Sequence, residues 1–348
     1  MRILHTGDLH IGRKYTKQRP EVSDACINAR IDVIRNINQI AHDKECGYVV
    51  IAGDLFDSKN IPVSVIKSTC QMLSECPCPV IVIAGNHDYC DANDRLWPVF
   101  QEHASDNTIF LAGELETEEA VFHACPSHDR YSADNALHMA HITDHDKLQI
   151  GIAHGAVEGL SYDGESKYYY MTIKELENIG MDLWLIGHTH IPAVPTKNIF
   201  NAGTPQQTDI SDNSPGTVYV IDIDKDHIHY EQVKTNIIRF ERLEATITPG
   251  KLESKLRSII KPDPNRYIRL TINGTASTDE YNGRLFLYEH LRSDLLELEV
   301  IDHNLGQEIT EEMIDEKTVS GSIENQMLKE YLNEPKLLAL AYSLIESA

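Results

Sequence analysis

The chain has 348 residues, a formal net charge of −23 and an ordinary apolar content of 41%. That length exceeds one typical domain and predicts a large unit plus a smaller one, while apolar runs as short as Tyr48 to Ala52 exclude a helix that crosses a bilayer. The acidity opposes tight binding to a polyanion by this chain alone, so a nucleic-acid role would call on a partner for basic surface.

The chain opens in a strand, Arg2 to Thr6, with no charged segment, long apolar stretch and cleavage site ahead of it, so no secretory leader is expected. Further strands are predicted at Tyr48 to Ala52, Val80 to Ala84, Leu148 to Ala153 and Leu183 to Ile186. Their continuous apolar or β-branched character suits strands covered on both faces. Helices are predicted from about Asp24 to His42, from Pro62 to Glu75, at Trp97 to Glu102 and at Lys174 to Ile179. Gly216 to Ile223 and Ile228 to Val233 read as an antiparallel hairpin. From Arg242 a β-α-β-α-β succession runs to Ile301, enough for a small α/β unit. The segment from about Ile309 reads as two helices, the last with an apolar face over Leu337 to Ile345. The seven cysteines are scattered, and Cys76-Pro-Cys78 finds no second pair, so reduced thiols and a cytoplasmic location are expected.

Five strands end alike, in a small residue followed at once by a side chain able to bind metal. These are Thr6-Gly7-Asp8-Leu9-His10, Ala52-Gly53-Asp54-Leu55-Phe56-Asp57, Ala84-Gly85-Asn86-His87-Asp88, Ala153-His154-Gly155 and Ile186-Gly187-His188-Thr189-His190. Ligands gather at the carboxyl ends of strands in layered α/β proteins, so five such ends can share one crevice. One Asp or His after a strand is usually a turn residue; five in succession are not so explained. Oxygen and imidazole donors without thiolates suit manganese, iron or zinc rather than a structural zinc cage. Two ions about 3.5–4 Å apart can share a carboxylate, for which Asp54 is the natural bridge, and a hydroxide that attacks a phosphoester.

The order Asp-x-His, Gly-Asp, Gly-Asn-His-Asp, His and Gly-His-x-His resembles the calcineurin-like metallophosphoesterase superfamily over about Met1 to Val233. The resemblance implies an α/β fold, a four-layer β-sandwich flanked by helices. It implies one ion on Asp8, His10, Asp54 and His190 and a second on Asp54, Asn86, His154 and His188, with manganese the first expectation. His87 would contact the scissile phosphate and assist the leaving oxygen, with Asp88 orienting or polarising it. Gly-Asp-Leu-His-Ile-Gly, Ala-Gly-Asp-Leu-Phe-Asp and the later βαβαβ unit resemble SbcD-type DNA repair exonucleases, bacterial relatives of the eukaryotic meiotic-recombination nuclease.

That second resemblance implies a nuclease domain over 1–240, an α/β capping domain over 241–305 and a helical segment over 306–348 that docks an SbcC-type coiled-coil ATPase. It further implies 3′ exonuclease and endonuclease action on DNA ends and a homodimer formed through helices near Asp24 to His42 and Pro62 to Glu75. Asp57 stands where archaeal and eukaryotic relatives carry a substrate-positioning His; Asp57 and Arg130 are the candidate substrate contacts. Asn201 to Pro205 reads as structural support near the phosphate path. His123, His128, His138, His141 and His145 have irregular spacing and read as a solvated insertion. Tyr168, Tyr169 and Tyr170 either stack on bases or pack beneath a loop. The competing functions are a phosphodiesterase or phosphatase for small molecules or phosphoproteins, against which the C-terminal α/β unit speaks, and a non-catalytic scaffold, against which the complete donor set speaks.

Overall fold

A computed structural model of the chain describes residues 1–143, 146–161 and 167–346, and the chain divides into two compact units, Met1–Ile238 and Arg239–Ala348. In the first unit, β1 (Arg2–Thr6), α1 (Pro20–Asp43), β2 (Tyr48–Ala52), α2 (Val63–Ser74), β3 (Val80–Ile83), α3 (Leu96–His103) and β4 (Thr108–Phe110) alternate along the chain. These four strands run parallel. A second run follows: β5 (Glu114–Glu116), β6 (Ala120–Cys125), β7 (Leu148–His154), α4 (Ile173–Ile179), β8 (Leu183–Gly187), β9 (Ala193–Thr196) and β10 (Ile199–Asn201). The chain then returns through β11 (Thr217–Ile223), antiparallel to β1, and β12 (Ile228–Lys234). Two six-stranded sheets result, ordered β12-β11-β1-β2-β3-β4 and β5-β6-β7-β8-β10-β9.

The alternation of side chains explains the layers. Val49 and Ile51 face α1 and α2, whereas Val50 and Ala52 face the second sheet, where Ile81, Ile83, Phe122, Ile150, Ile152 and Leu185 meet them. Trp184 and Ile186 turn the other way, into a core with Leu176 of α4. Both faces of each sheet are therefore covered, giving helix, sheet, sheet, helix, the expected α/β sandwich.

Three differences from the sequence reading have physical causes. Helix α1 starts at Pro20, four residues earlier than Asp24, because Pro at a helix start loses no hydrogen bond and a polar first turn suits solvent. The stretch from Val121 is no solvated insertion at its start: β6 is buried throughout and carries His123, whose Nε2 lies 2.9 Å from Gln149 Oε1. His145, grouped with it, lies outside the described residues. Among its described residues the C-terminal segment holds three α-helices rather than two, broken first over 318–322, where Gly321 takes positive φ, and again by a 3-10 turn at Tyr331–Asn333.

The second unit is a parallel three-stranded sheet. Its elements are β13 (Arg239–Ile247), α5 (Leu252–Ile259), β14 (Asp263–Ala276), α6 (Thr278–Arg292) and β15 (Leu295–Gln307). Ser277 and Glu280 form a reciprocal cap at the start of α6. Helices α7 (Glu311–Lys317), α8 (Ile323–Glu330) and α9 (Pro335–Glu346) follow, packed on Ile314, Leu328 and Leu338. Val319, Ile323, Leu337 and Leu344 remain exposed. No helix among the described residues is long and apolar enough to cross a membrane.

One buried side chain in the first unit sets a pH limit. His5 on β1 is fully buried, and burial pushes its imidazole down to about 3. The unfolded chain binds this proton below its ordinary value of about 6.5 and the folded chain does not. Stability from this group is therefore present above pH 6.5 and lost as pH falls toward 3. Chemical denaturation of ion-free protein at pH 7 and pH 5 should show wild type losing about 2 kcal/mol more than His5→Leu.

Candidate metal centre

The carboxyl ends of β1, β2, β3, β7 and β8 meet at one edge of the sandwich. Short bonds tie their loops together: Asp8 N donates to Gly53 O at 3.1 Å, His10 N to Asp54 O at 3.0 Å and Ile11 N to Leu55 O at 2.9 Å. To make these turns, Asp8, His10, Asp54 and His188 adopt left-handed backbone, with φ of 54°, 49°, 52° and 101°. Such backbone in non-glycine residues is strained and tends to cluster at functional sites, as four of the seven among the described residues do. Two glycines leave room for the donors. A Cβ at Gly53 would lie 2.3 Å from His154 Nδ1, and one at Gly85 2.2 Å from Asp54 Oδ1.

The side chains converge in two overlapping groups. In the first, Asp8 Oδ1 lies 4.0 Å from His10 Nε2 and 3.9 Å from His190 Nε2, and the two imidazole nitrogens are 3.2 Å apart. In the second, Asn86 Oδ1 lies 3.0 Å from His154 Nε2 and 3.1 Å from His188 Nδ1. Asp54 stands between them: Oδ1 accepts the His87 amide at 2.8 Å, while Oδ2 lies 3.8 Å from His10 Nε2 and 3.5 Å from His154 Nε2. Asp8 divides its oxygens likewise, Oδ2 accepting the His188 amide at 2.9 Å and Oδ1, buried, finding no hydrogen bond.

This arrangement fits divalent cations. Neighbouring donors on one ion with bonds of about 2.1 Å lie roughly 3–3.4 Å apart. Several imidazoles also show the division typical of metal ligands, one nitrogen inward and the other toward an outer acceptor. His154 Nδ1 lies 2.8 Å from Ala52 O, His10 Nδ1 3.4 Å from Asp57 Oδ1 and His190 Nδ1 3.8 Å from Asp212 Oδ2. Asp8, His10 and His190, and likewise Asp8, Asp54 and His154, are grouped closely enough to hold an ion.

The clustering shifts several of the donors. Burial pulls the His154 imidazole down, but Asp54 and Asp8 overcome it and raise it to about 9. Burial and then His154 push His188 down to about 4. Burial works against ionisation of Asp54, yet His154, His10 and His87 hold it below the usual carboxylate range. Displacements of opposite sign within a few ångströms are the mark of a functional site.

Other candidates are placed as follows. His87 is half-buried and its ring meets that of His10 edge-on at 4.8 Å. Asp88, expected to orient or polarise His87, has its carboxylate elsewhere: it accepts the Gly85 amide at 2.7 Å and the Phe56 amide at 2.9 Å, and the acceptor at His87 Nδ1 is the Asp57 carbonyl at 3.0 Å. A carboxylate buried beneath tight loops is captured by their amides, and burial followed by Asp54 raises it to about 8. The Asp57 side chain turns from the rim toward His10, with Arg13 Nη1 3.7 Å from the same oxygen. Arg130 is exposed, over the Tyr131 ring. Tyr131 leads to Tyr168, whose ring lies 5.3 Å from that of His188, so Arg130 stands two rings from the centre. Tyr169 is buried instead, its hydroxyl accepting the His128 and Asp129 amides.

Sequence reasoning passed over the outer support. Arg30 is buried and donates to Leu9 O, Gln206 O and Tyr15 Oη, pinning the first motif. Asp212 stands behind His190, with no strand-end pattern to announce it. The stretch from Asn201 does brace the centre: Thr204 Oγ1 donates to Asp8 O at 2.9 Å, and Asn201 Nδ2 to Thr189 O and Ile191 O.

Comparison with known proteins adds an independent line. The family model for calcineurin-like phosphoesterase matches residues 1–192. The uncharacterized metallophosphoesterase YhaO of Bacillus subtilis is 24% identical over 306 residues, 79% of this chain and 72% of that protein. The SbcD component of the nuclease SbcCD from the same organism is 35% identical over 141 residues, 39% of this chain and 33% of that protein. The SbcD component of the nuclease SbcCD from Staphylococcus epidermidis is 23% identical over 339 residues, 88% of this chain and 84% of that protein.

Proposed function

We propose, from the premise that the chain belongs to the calcineurin-like phosphoesterase family and is therefore a metal-dependent phosphoester hydrolase, that it is a two-ion DNA nuclease. The observation that carries the nuclease reading is the likeness to the Staphylococcus epidermidis nuclease component, because at 88% of this chain it extends past the family match and into the second unit. On this reading the second unit helps place DNA, and the exposed Val319, Ile323, Leu337 and Leu344 suit docking of an SbcC-type coiled-coil ATPase. That partner also answers the charge of −23, which disfavours DNA binding by this chain alone. A cytoplasmic setting, 3′ exonuclease action and endonuclease action belong to the same proposal.

Oxygen and nitrogen donors without thiolates suit manganese, iron or zinc, and manganese is the ion proposed. Bound divalent cations supply Lewis acidity and a water activated at neutral pH. The chain's own residues do the rest. Asp54 joins the two halves, Asp8 and the imidazoles fix the donor geometry, and Asn86 adds a neutral oxygen. His87 has Nδ1–H turned to the Asp57 carbonyl, which leaves Nε2 to meet a phosphoryl oxygen and, from the doubly protonated ring, to protonate the leaving oxygen and become the neutral imidazole.

The test is turnover by the purified full chain with manganese, alone and with its SbcC-type ATPase, on linear duplex DNA and on a chromogenic phosphodiester. Release of nucleotides from DNA ends, raised by the ATPase, is expected. Diester turnover with intact DNA in every mixture would overturn the nuclease reading and leave a small-substrate or phosphoprotein phosphoesterase.

A further inference from the structure

We infer that the two halves of the centre hold their ions unequally, and that Asp57 and Asp212 make the Asp8–His10–His190 half the tighter one. This rests on the two-ion reading above and adds an order of affinity to it.

The halves differ in what stands behind their imidazoles. In the Asp8 half both are backed by carboxylates, Asp57 Oδ1 at 3.4 Å from His10 Nδ1 and Asp212 Oδ2 at 3.8 Å from His190 Nδ1. Neither contact is a hydrogen bond, so each carboxylate acts by its charge, which favours a proton on the facing Nδ1 and makes the inward Nε2 the more electron-rich donor. In the Asn86 half, His154 Nδ1 is backed by the neutral Ala52 carbonyl at 2.8 Å. His188 turns Nδ1 itself inward, to 3.1 Å from Asn86 Oδ1, and lies against the Tyr168 ring.

Charge points the same way. The Asp8 half has Asp8 directly and Asp57 and Asp212 close behind; the other half has the neutral Asn86, and Asp54 serves both. Arg13, 3.7 Å from Asp57 Oδ1, offsets part of this, but its own Nη2 also lies 3.4 Å from Asp209. The Asp212 carboxylate is held in place by hydrogen bonds, and that of Asp57 only by the charge of Arg13. Asp212 has a side-chain exposure of 5% and accepts the Thr208 amide and hydroxyl at 2.8 and 2.9 Å. Asp57 has a side-chain exposure of 26%, and its carbonyl separately accepts His87 Nδ1. Asp57 and Asp212 are thus positioning residues.

The experiment is a manganese titration of the chelator-stripped full chain, with free ion followed by its electron paramagnetic resonance signal, so that no turnover is needed. Wild type should bind two ions in two classes at least tenfold apart. Asp57→Ala and Asp212→Ala should each weaken the tight class about 10- to 100-fold and leave the weak class in place. Asp57→Asn and Asp212→Asn keep the shape and remove only the charge, so they should weaken the tight class as much as the alanine variants, which mere disturbance of packing would not predict. Two ions bound with equal affinity, or a tight class untouched by all four variants, would overturn this inference alone. Binding of a single ion at saturation would overturn the two-ion reading and this inference with it.

Discussion

Asp54→Asn should reduce phosphodiester turnover by roughly 10³–10⁴-fold and leave the chain folded but short of bound metal. Asparagine keeps the shape, tolerates left-handed backbone such as the φ of 52° here, and retains an oxygen for the His87 amide. What it removes is a carboxylate whose free oxygen faces both halves of the centre, 3.8 Å from His10 Nε2 and 3.5 Å from His154 Nε2. Cations contribute several kcal/mol of charge stabilisation to such a reaction, and each 1.36 kcal/mol is tenfold in rate. The paired measurement is diester turnover with saturating manganese and metal content after gel filtration. Wild-type turnover with a full complement of ions would remove Asp54 from the role of bridge.

His87→Ala should act differently, lowering turnover about 10²–10⁴-fold with metal content unchanged. His87 is half-buried beside His10, with one nitrogen committed to the Asp57 carbonyl. If the other nitrogen protonates the leaving oxygen, the loss must depend on the leaving group. It should be largest for an alkoxide, as in DNA, and smallest for a nitrophenolate, which leaves without a proton. Equal losses on both substrates would exclude the proton-donating role and reduce His87 to a phosphate contact.

The five strand ends were legible because each joins a short apolar run to a glycine and a donor, a local pattern with little structural use. The sheet strands were legible for a related reason: Tyr48 to Ala52 is apolar on both faces because α1 and α2 cover one side and the second sheet the other. Strand β6 was not, since a polar His123 interrupts its pattern and is accounted for only by contacts across the sheet, with Gln149 on β7 and Glu114 on β5. The outer support was equally hidden. Asp212 lies 22 residues past His190 in the chain, and the acceptor behind His154 is a backbone carbonyl, which no sequence displays. Asp88 looked like a partner for its neighbour because adjacency is visible in sequence and the direction of a side chain is not.

The left-handed turns at Asp8, His10, Asp54 and His188 set fold against function. Each such residue holds backbone that costs on the order of 1–3 kcal/mol, and glycine would relieve that cost at the same positions. Loss of the donors is therefore the direction in which this polypeptide gains thermodynamic ease. A selection for solubility or heat resistance alone, applied to the ion-free chain, would drift toward inert glycine-bearing variants at these four turns. Only a selection that scores hydrolysis opposes that drift, so any effort to harden the protein has to leave these turns fixed and work elsewhere.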